Sequence, residues 1–185
     1  MWPGAAEGSV THPLRIAILG NAGSGKSTLA RHLAARHGVP VLDLDTVAWE
    51  PDAPAQPRPD ALAIDDVREF CRQHAQWVVE GCYAHLVDAA LAFGPRLVFL
   101  NPGTAACLAH CRARPWEPHK YASKAEQDAN LPLLLDWVAA YDTREGPLSL
   151  AAHRRCFDGY AGPKCEFTAP LDLRAPLPPL LERVG

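Results

Sequence analysis

Short apolar runs punctuate this chain, and most are followed by stretches whose apolar residues recur at helical spacing. The runs are Leu14–Leu19, Val39–Leu44, Trp77–Gly81 and Leu97–Leu100, with a shorter one at Lys164–Thr168. The first four are rich in Val, Ile and Leu, which predicts strands buried on both faces. Helical spacing predicts helices over 25–37, 60–75, 103–113, 123–143 and 149–158. In the 123–143 segment Leu131, Leu134, Leu135, Val138 and Tyr141 form a stripe that reads as core. Strand alternating with helix predicts an α/β fold, a parallel sheet with helices on both faces. Ligands of such sheets bind beyond the carboxyl ends of the strands, so the polar residues just after each run carry the functional information.

The residues after the first run are Gly20, Asn21, Ala22, Gly23, Ser24, Gly25, Lys26, Ser27 and Thr28. They complete the pattern G-x-x-x-x-G-K-[ST], a Walker A loop between a strand and a helix. Glycines let the backbone curl so that successive N–H groups point inward at an anion. The helix that follows adds its unpaired N–H groups and the positive end of its dipole. Lys26 is placed to reach the β- and γ-phosphates of a nucleoside triphosphate, and Ser27 to bind Mg²⁺. The glycine spacing is not that of a dinucleotide-binding turn.

Carboxylates end the second and third runs. Asp43 and Asp45 lie two residues apart and would share a face if the strand continued through both. One could hold an acceptor hydroxyl or take its proton, with Asp45 the acceptor-facing one, while Asp43 serves the metal's shell. Glu80 is placed for the metal's outer shell, and Gly81 would let substrate approach the backbone. Trp49 and Tyr83 follow these strand ends and read as core packing ahead of pocket contacts. Arg112 and Arg114 precede a proline-broken segment, and either could close over a transferring phosphoryl group as part of a lid. Arg154 and Arg155 are weaker lid cations.

At 185 residues the chain fits one domain over 13–185, with 1–12 as a flexible lead-in. An acceptor-side arm spans about 46–75, stiffened by Pro51, Pro54, Pro57 and Pro59, and a lid spans about 112–125. The tail from Pro176 to Leu181 predicts a short terminal helix. A net charge of −3 gives no global case for nucleic acid, although Arg112, Arg114, Lys120 and Lys124 cluster against Glu117 alone. No apolar run reaches membrane-spanning length. Six cysteines without a C-x-x-C pair, and no signal-peptide pattern, fit a reducing cytoplasm. Cys107, His110 and Cys111 read as thiol packing ahead of a metal site.

Together Gly20–Thr28, the Asp43/Asp45 pair, Val79-Glu80-Gly81 and the Arg112/Arg114 segment resemble the adenylate kinase-like small P-loop kinases. That family includes nucleoside monophosphate kinases, shikimate kinase and gluconate kinase. Leu42-Asp43 with Trp49, and Trp77 to Tyr83, are most similar to its topology-modulation group. The resemblance implies a three-layer P-loop NTPase fold with a five-stranded parallel sheet in the order 2-3-1-4-5. It implies an ATP- and Mg²⁺-dependent phosphotransferase acting on a small-molecule or nucleotide acceptor. Asp45 matches the second aspartate of the shikimate kinase pair, which meets the acceptor hydroxyl. Glu80 stands where the nucleotide kinases carry aspartate, and the adenylate kinase lid signature is missing. Arg114 to Tyr121 matches no substrate signature. An NTP-hydrolysing switch or nucleic-acid accessory ATPase is the alternative; the missing N-K-x-D and L-S-G-G-Q motifs weigh against it. The acceptor and the oligomeric state are left open by the sequence.

Overall fold

Apolar residues at every position of Ile16–Leu19 leave no solvent face, and the chain answers by burying that segment at the centre of a sheet. The computed structural model describes residues 13–50, 56–118 and 121–183. The strands are β1 (Arg15–Gly20), β2 (Val41–Asp43), β3 (Trp77–Gly81), β4 (Arg96–Leu100) and β5 (Lys164–Phe167). All pair in parallel, in the order β2-β3-β1-β4-β5. The helices are α1 (Lys26–His37), α2 (Asp45–Ala48), α3 (Asp60–Gln73), α4 (Ala84–Leu91), α5 (Thr104–Arg112), α6 (Lys124–Ala139) and α7 (Leu150–Gly159). The register sets Glu80 opposite both Ile18 and Asp43, so the carboxylates of β2 and β3 end at the level where the glycine loop begins.

Alternate residues of each strand point to opposite faces and build two cores. Ala17, Leu19, Val79, Leu97 and Phe99 pack with Val67 of α3 and Leu86 and Val87 of α4. Ile16, Ile18, Val78, Val98 and Leu100 pack with Leu29 and Leu33 of α1 and with Leu181 of the tail. Each such aliphatic side chain contributes about 1.5–3 kcal/mol by leaving water.

Two helices escape the periodicity argument. Six residues of α4, Ala84, Leu86, Val87, Ala89, Ala90 and Leu91, are buried, so it carries no polar face to mark a helical period. The single turn α2 is too short to show one. Two expectations are corrected. Of the stripe expected over 123–143, Val138 of α6 and Tyr141 of the turn after it are buried, and Leu134 and Leu135 are half-buried against Cys107 and Cys111, because α6 builds a smaller core with α5 rather than packing on the sheet; Leu131 is half-buried as well. The tail forms a single 3₁₀ turn, Pro179–Leu181, in place of a helix.

In the proline-rich arm, Trp49 and Pro57 form an antiparallel bridge, and Pro59 leads into α3. Pro51 and Pro54, the lead-in 1–12 and Lys120 of the basic cluster lie outside the described residues. All six cysteines are free thiols. Among the described residues no helix is long and apolar enough to cross a membrane.

Candidate active site

The glycine loop is held from behind. Asn21 Nδ2 donates to the Val138 carbonyl at 3.2 Å, while its Oδ1 accepts from Ala22 N at 2.9 Å and Arg144 Nη2 at 3.2 Å. Arg144 also stacks on Trp137, 3.5 Å from the ring centroid, and donates to the Trp137 carbonyl at 2.6 Å. Gly23 adopts φ +77°, and a Cβ there would sit 2.3 Å from the Cys107 carbonyl. Helix α5 therefore presses on the loop at a distance only glycine tolerates. His110 of α5 adds a bond from Nδ1 to the Gly23 carbonyl at 2.8 Å. Gly25, at φ +98°, has nothing within 4 Å of its Cβ position.

Lys26 is 6% exposed and donates from Nζ to the Asn21 carbonyl at 2.9 Å. Burial works against its charge, but the Cys82 sulfur and the Glu80 and Asp45 carboxylates around it outweigh that and raise its pKa. The ammonium thus stays charged inside the protein. The Ser24 hydroxyl is buried without a hydrogen-bond partner. A buried polar group without a partner is costly, so this hydroxyl calls for a ligand acceptor. A curled loop, a charged buried lysine and an orphaned donor fit a polyphosphate.

Glu80 is 3% exposed at the end of β3. Burial raises its pKa, Lys26 and a hydrogen bond from Ser27 oppose the rise, and Asp43 and Asp45 add to it. Asp43 is the last residue of β2, and its Oδ1 accepts the Asp45 N–H at 2.9 Å. The strand stops there and Asp45 opens α2, so the two do not share a strand face as expected; the turn brings both to the cavity instead. Tyr83 donates its hydroxyl to Asp45 Oδ1 at 2.9 Å and accepts from Trp49 Nε1 at 2.9 Å. Those two aromatics stand behind Asp45 and are not among the cavity's walls. Gly81 lines the cavity, and its backbone has a packing constraint as well. A Cβ there would meet Leu44 Cβ at 2.7 Å, so packing too requires the glycine.

A cavity of about 650 Å³ joins these groups. The loop from Ala22 to Thr28 forms its floor. Asp43, Asp45, Glu80, Gly81 and Cys82 line the β2/β3 side; Leu100, Pro170, Leu171 and Leu173 line the β4/β5 side; Arg114 to Pro118 overhang it. Arg114 lies in the wall, paired with Glu117 at 3.1 Å. Arg112 is exposed at the end of α5 and is not in the wall. Arg154 is turned away, held by both carboxylate oxygens of Glu166 at 2.7 Å.

The pattern reading missed Arg31, His110, Cys82 and Leu171 in the walls and Arg144 behind the loop. It also missed His153, which is fully buried. His153 Nε2 lies 2.6 Å from the Cys82 carbonyl and its Nδ1 lies 2.6 Å from the Tyr141 hydroxyl. A carbonyl can only accept, so Nε2 carries the proton and Nδ1 accepts from Tyr141. Only the polar residue types beside strand ends gave a sequence signal for this set; His153 and Arg144 reach the site from far along the chain.

Among the described residues no group of three His, Cys, Asp or Glu side chains comes together to hold a metal. Ser27 and the nearby carboxylates are hard oxygen donors. They suit Mg²⁺, which keeps several waters and is usually bound by one or two carboxylates together with substrate phosphates.

None of the curated proteins matches the sequence. Three solved structures illustrate what the fold is similar to. A sugar kinase from Janibacter sp. HTCC2649 is 15% identical, with 89% of this chain and 87% of that chain covered at TM-score 0.47. A gluconokinase from Sinorhizobium meliloti 1021 is 19% identical, with 82% and 93% covered at TM-score 0.43. A shikimate kinase from Acinetobacter baumannii, in complex with shikimate, is 18% identical, with 77% and 90% covered at TM-score 0.41. The profile of the family described as AAA domain matches residues 16–131. That span takes in the glycine loop, the three carboxylates, and Arg114. This match, over more than half of the chain and across the glycine loop, shows that the chain belongs to the AAA domain family.

Proposed function

We propose that the protein is an ATP-dependent phosphotransferase acting on a small hydroxyl-bearing acceptor. One observation carries the reading: a single cavity holds the phosphate loop with its charged Lys26 and, on the β2/β3 side, Asp43, Asp45 and Glu80. Asp43 and Glu80 suit the nucleotide's metal, but a purely nucleotide-holding site has no need of Asp45, which Tyr83 holds beside them. The cavity has two wings on either side of β1. Leu100, Pro170, Leu171 and Leu173 give the β4/β5 wing the apolar walls that a nucleobase fills. The carboxylate wing takes the acceptor.

ATP lies as substrate with its phosphates along residues 20–28. Lys26 and the inward N–H groups spread the charge that develops on the moving phosphoryl group. Asp45 orients the acceptor hydroxyl and takes its proton, held for this by Tyr83. Arg114 exchanges Glu117 for the phosphoryl oxygens as the lid, about 112–125, closes. Arg112, outside the wall, has no part. Ser27, Asp43 and Glu80 are the residues that would hold Mg²⁺, the carboxylates through water, and the ion when bound neutralises phosphate charge and polarises the reacting phosphorus.

The test is a screen of small molecules for capture of label from γ-labelled ATP, run beside Lys26→Ala. A labelled small product that disappears with the variant supports the proposal. Label released only as free phosphate, and only when a protein or nucleic acid is added, refutes it in favour of a nucleotide switch.

A further inference from the structure

The exit from β3 is gripped by a distant part of the chain. The ladder of β3 stops at Gly81, and Cys82 and Tyr83 turn the chain into α4. The Cys82 carbonyl accepts from His153 Nε2 of α7 at 2.6 Å. The Ala84 N–H donates to the Pro147 carbonyl, just ahead of α7, at 3.1 Å. The first bond holds the peptide before Tyr83, and the second, with the first bonds of α4, holds the peptide after it. A peptide is planar, so fixing both planes fixes φ and ψ of Tyr83, at −92° and 95°, and with them the direction of its side chain. At the far end of that ring the hydroxyl donates to Asp45 Oδ1 and accepts from Trp49 Nε1, each at 2.9 Å. A small turn of the peptide becomes a larger displacement there.

A fully buried histidine is a costly way to fill a core, because both ring nitrogens need partners. A leucine would fill similar space. What the imidazole adds is an N–H aimed at a carbonyl past the end of the ladder, steadied by the Tyr141 hydroxyl at Nδ1 and by the Phe99 ring standing edge-on, 6.1 Å between centroids. We propose that His153 is a positioning residue of the acceptor side: it aims Tyr83 at Asp45 through the Cys82–Tyr83 peptide. It is not among the cavity walls and touches no substrate. What Asp45 does rests on the phosphotransferase reading; how Tyr83 is aimed does not. A misplacement of about 1 Å at a reacting group costs up to about 100-fold in rate, so such an anchor bears on turnover. Tyr141, which steadies His153, lies three residues from Arg144, which holds Asn21 of the glycine loop. The loop and Tyr83 thus hang from one segment, and the two halves of the cavity keep a common register.

The experiment labels the full chain with fluorotryptophan and follows the fluorine resonance of Trp49, assigned by its loss in Trp49→Phe. That resonance reports the bond to Tyr83 and needs no substrate. In His153→Leu it moves to the position it takes in Tyr83→Phe, while that of Trp77, at the head of β3, stays. Tyr141→Phe removes one hydroxyl and keeps the ring; it moves the Trp49 resonance in the same direction and decides the matter should His153→Leu fail to fold. His153→Gln, whose amide can still donate to the Cys82 carbonyl, restores the wild-type resonance. With the acceptor found in the screen, kcat falls about tenfold in His153→Leu and in Tyr83→Phe, and no further in the double variant, because one acts through the other. A Trp49 resonance unmoved in the folded variants, all tryptophan resonances moving together, or losses that multiply in the double variant would each overturn the inference. Should no compound take the phosphoryl group, the phosphotransferase reading falls alone, and the fluorine spectra still decide whether His153 aims Tyr83.

Discussion

Lys26 and His153 are both buried bases, and the protein treats them in opposite ways. Lys26 keeps its proton because Cys82, Glu80 and Asp45 surround it. His153 loses its proton: burial, chiefly, with help from Lys26 and Arg144 and against the pull of the Cys82 carbonyl, brings its pKa down to about 4. An imidazole in the unfolded chain titrates near 6.5. Between those values the unfolded state binds more protons, so stability is complete above about pH 6.5 and falls as pH drops toward 4. The loss across the window is about 3 kcal/mol. Urea unfolding at pH 7 and pH 4.5 should show that slope in the wild type and a flatter one in His153→Gln. Identical slopes would mean that the imidazole is not buried neutral. Tyr83 acts at the same scale through its bond to Asp45. Tyr83→Phe should lower kcat with the acceptor found in the screen by about tenfold, the worth of one neutral hydrogen bond to a charged group. ATP affinity, read by calorimetry, should not move; a parallel loss of ATP binding would contradict a role confined to the acceptor side.

At the scale of elements, sequence and structure part where polarity stops being a guide. The glycine loop was legible because its residues are contiguous, and the carboxylates because they end apolar runs. Helix α4 was not, since six of its residues are buried and no face is left polar. Arg154, expected as a weaker lid cation, is claimed by Glu166 on β5, a partner that spacing along α7 cannot reveal. Arg144 was invisible for the same reason: it lies 123 residues from Asn21. The segment from Trp137, in the last turn of α6, to Leu148 uses that guanidinium to clamp the loop, with Leu148 O accepting at 2.8 Å. A lysine cannot reproduce this planar fork. Arg144→Lys should cost about 2–3 kcal/mol in urea unfolding and weaken ATP binding as the loop loosens. Unchanged stability would show that the clamp is decorative.

The whole molecule is one sheet with a cleft at its carboxyl edge, and the loop at the centre of that edge connects both cores. A ligand bound there stabilises every element that the loop touches. Saturation with ATP at about 100 times its Kd should add about 2.7 kcal/mol to the folded state, a rise in Tm of roughly 5–10 °C for a chain of this size. No rise would mean that the cleft does not take the nucleotide.

Lys26 is where these scales meet, as a residue buried in the loop, at the head of α1, and on the floor of the cavity. Calorimetric titration of ATP with Mg²⁺ into the wild type and into Lys26→Ala, both shown to be folded by circular dichroism, separates the possibilities. Saturable binding in the wild type, weakened at least about 100-fold in the variant, is expected for a buried charge that grips phosphate. Equal affinity in the two proteins would show that the loop does not hold the triphosphate, and the phosphotransferase reading would fail with it.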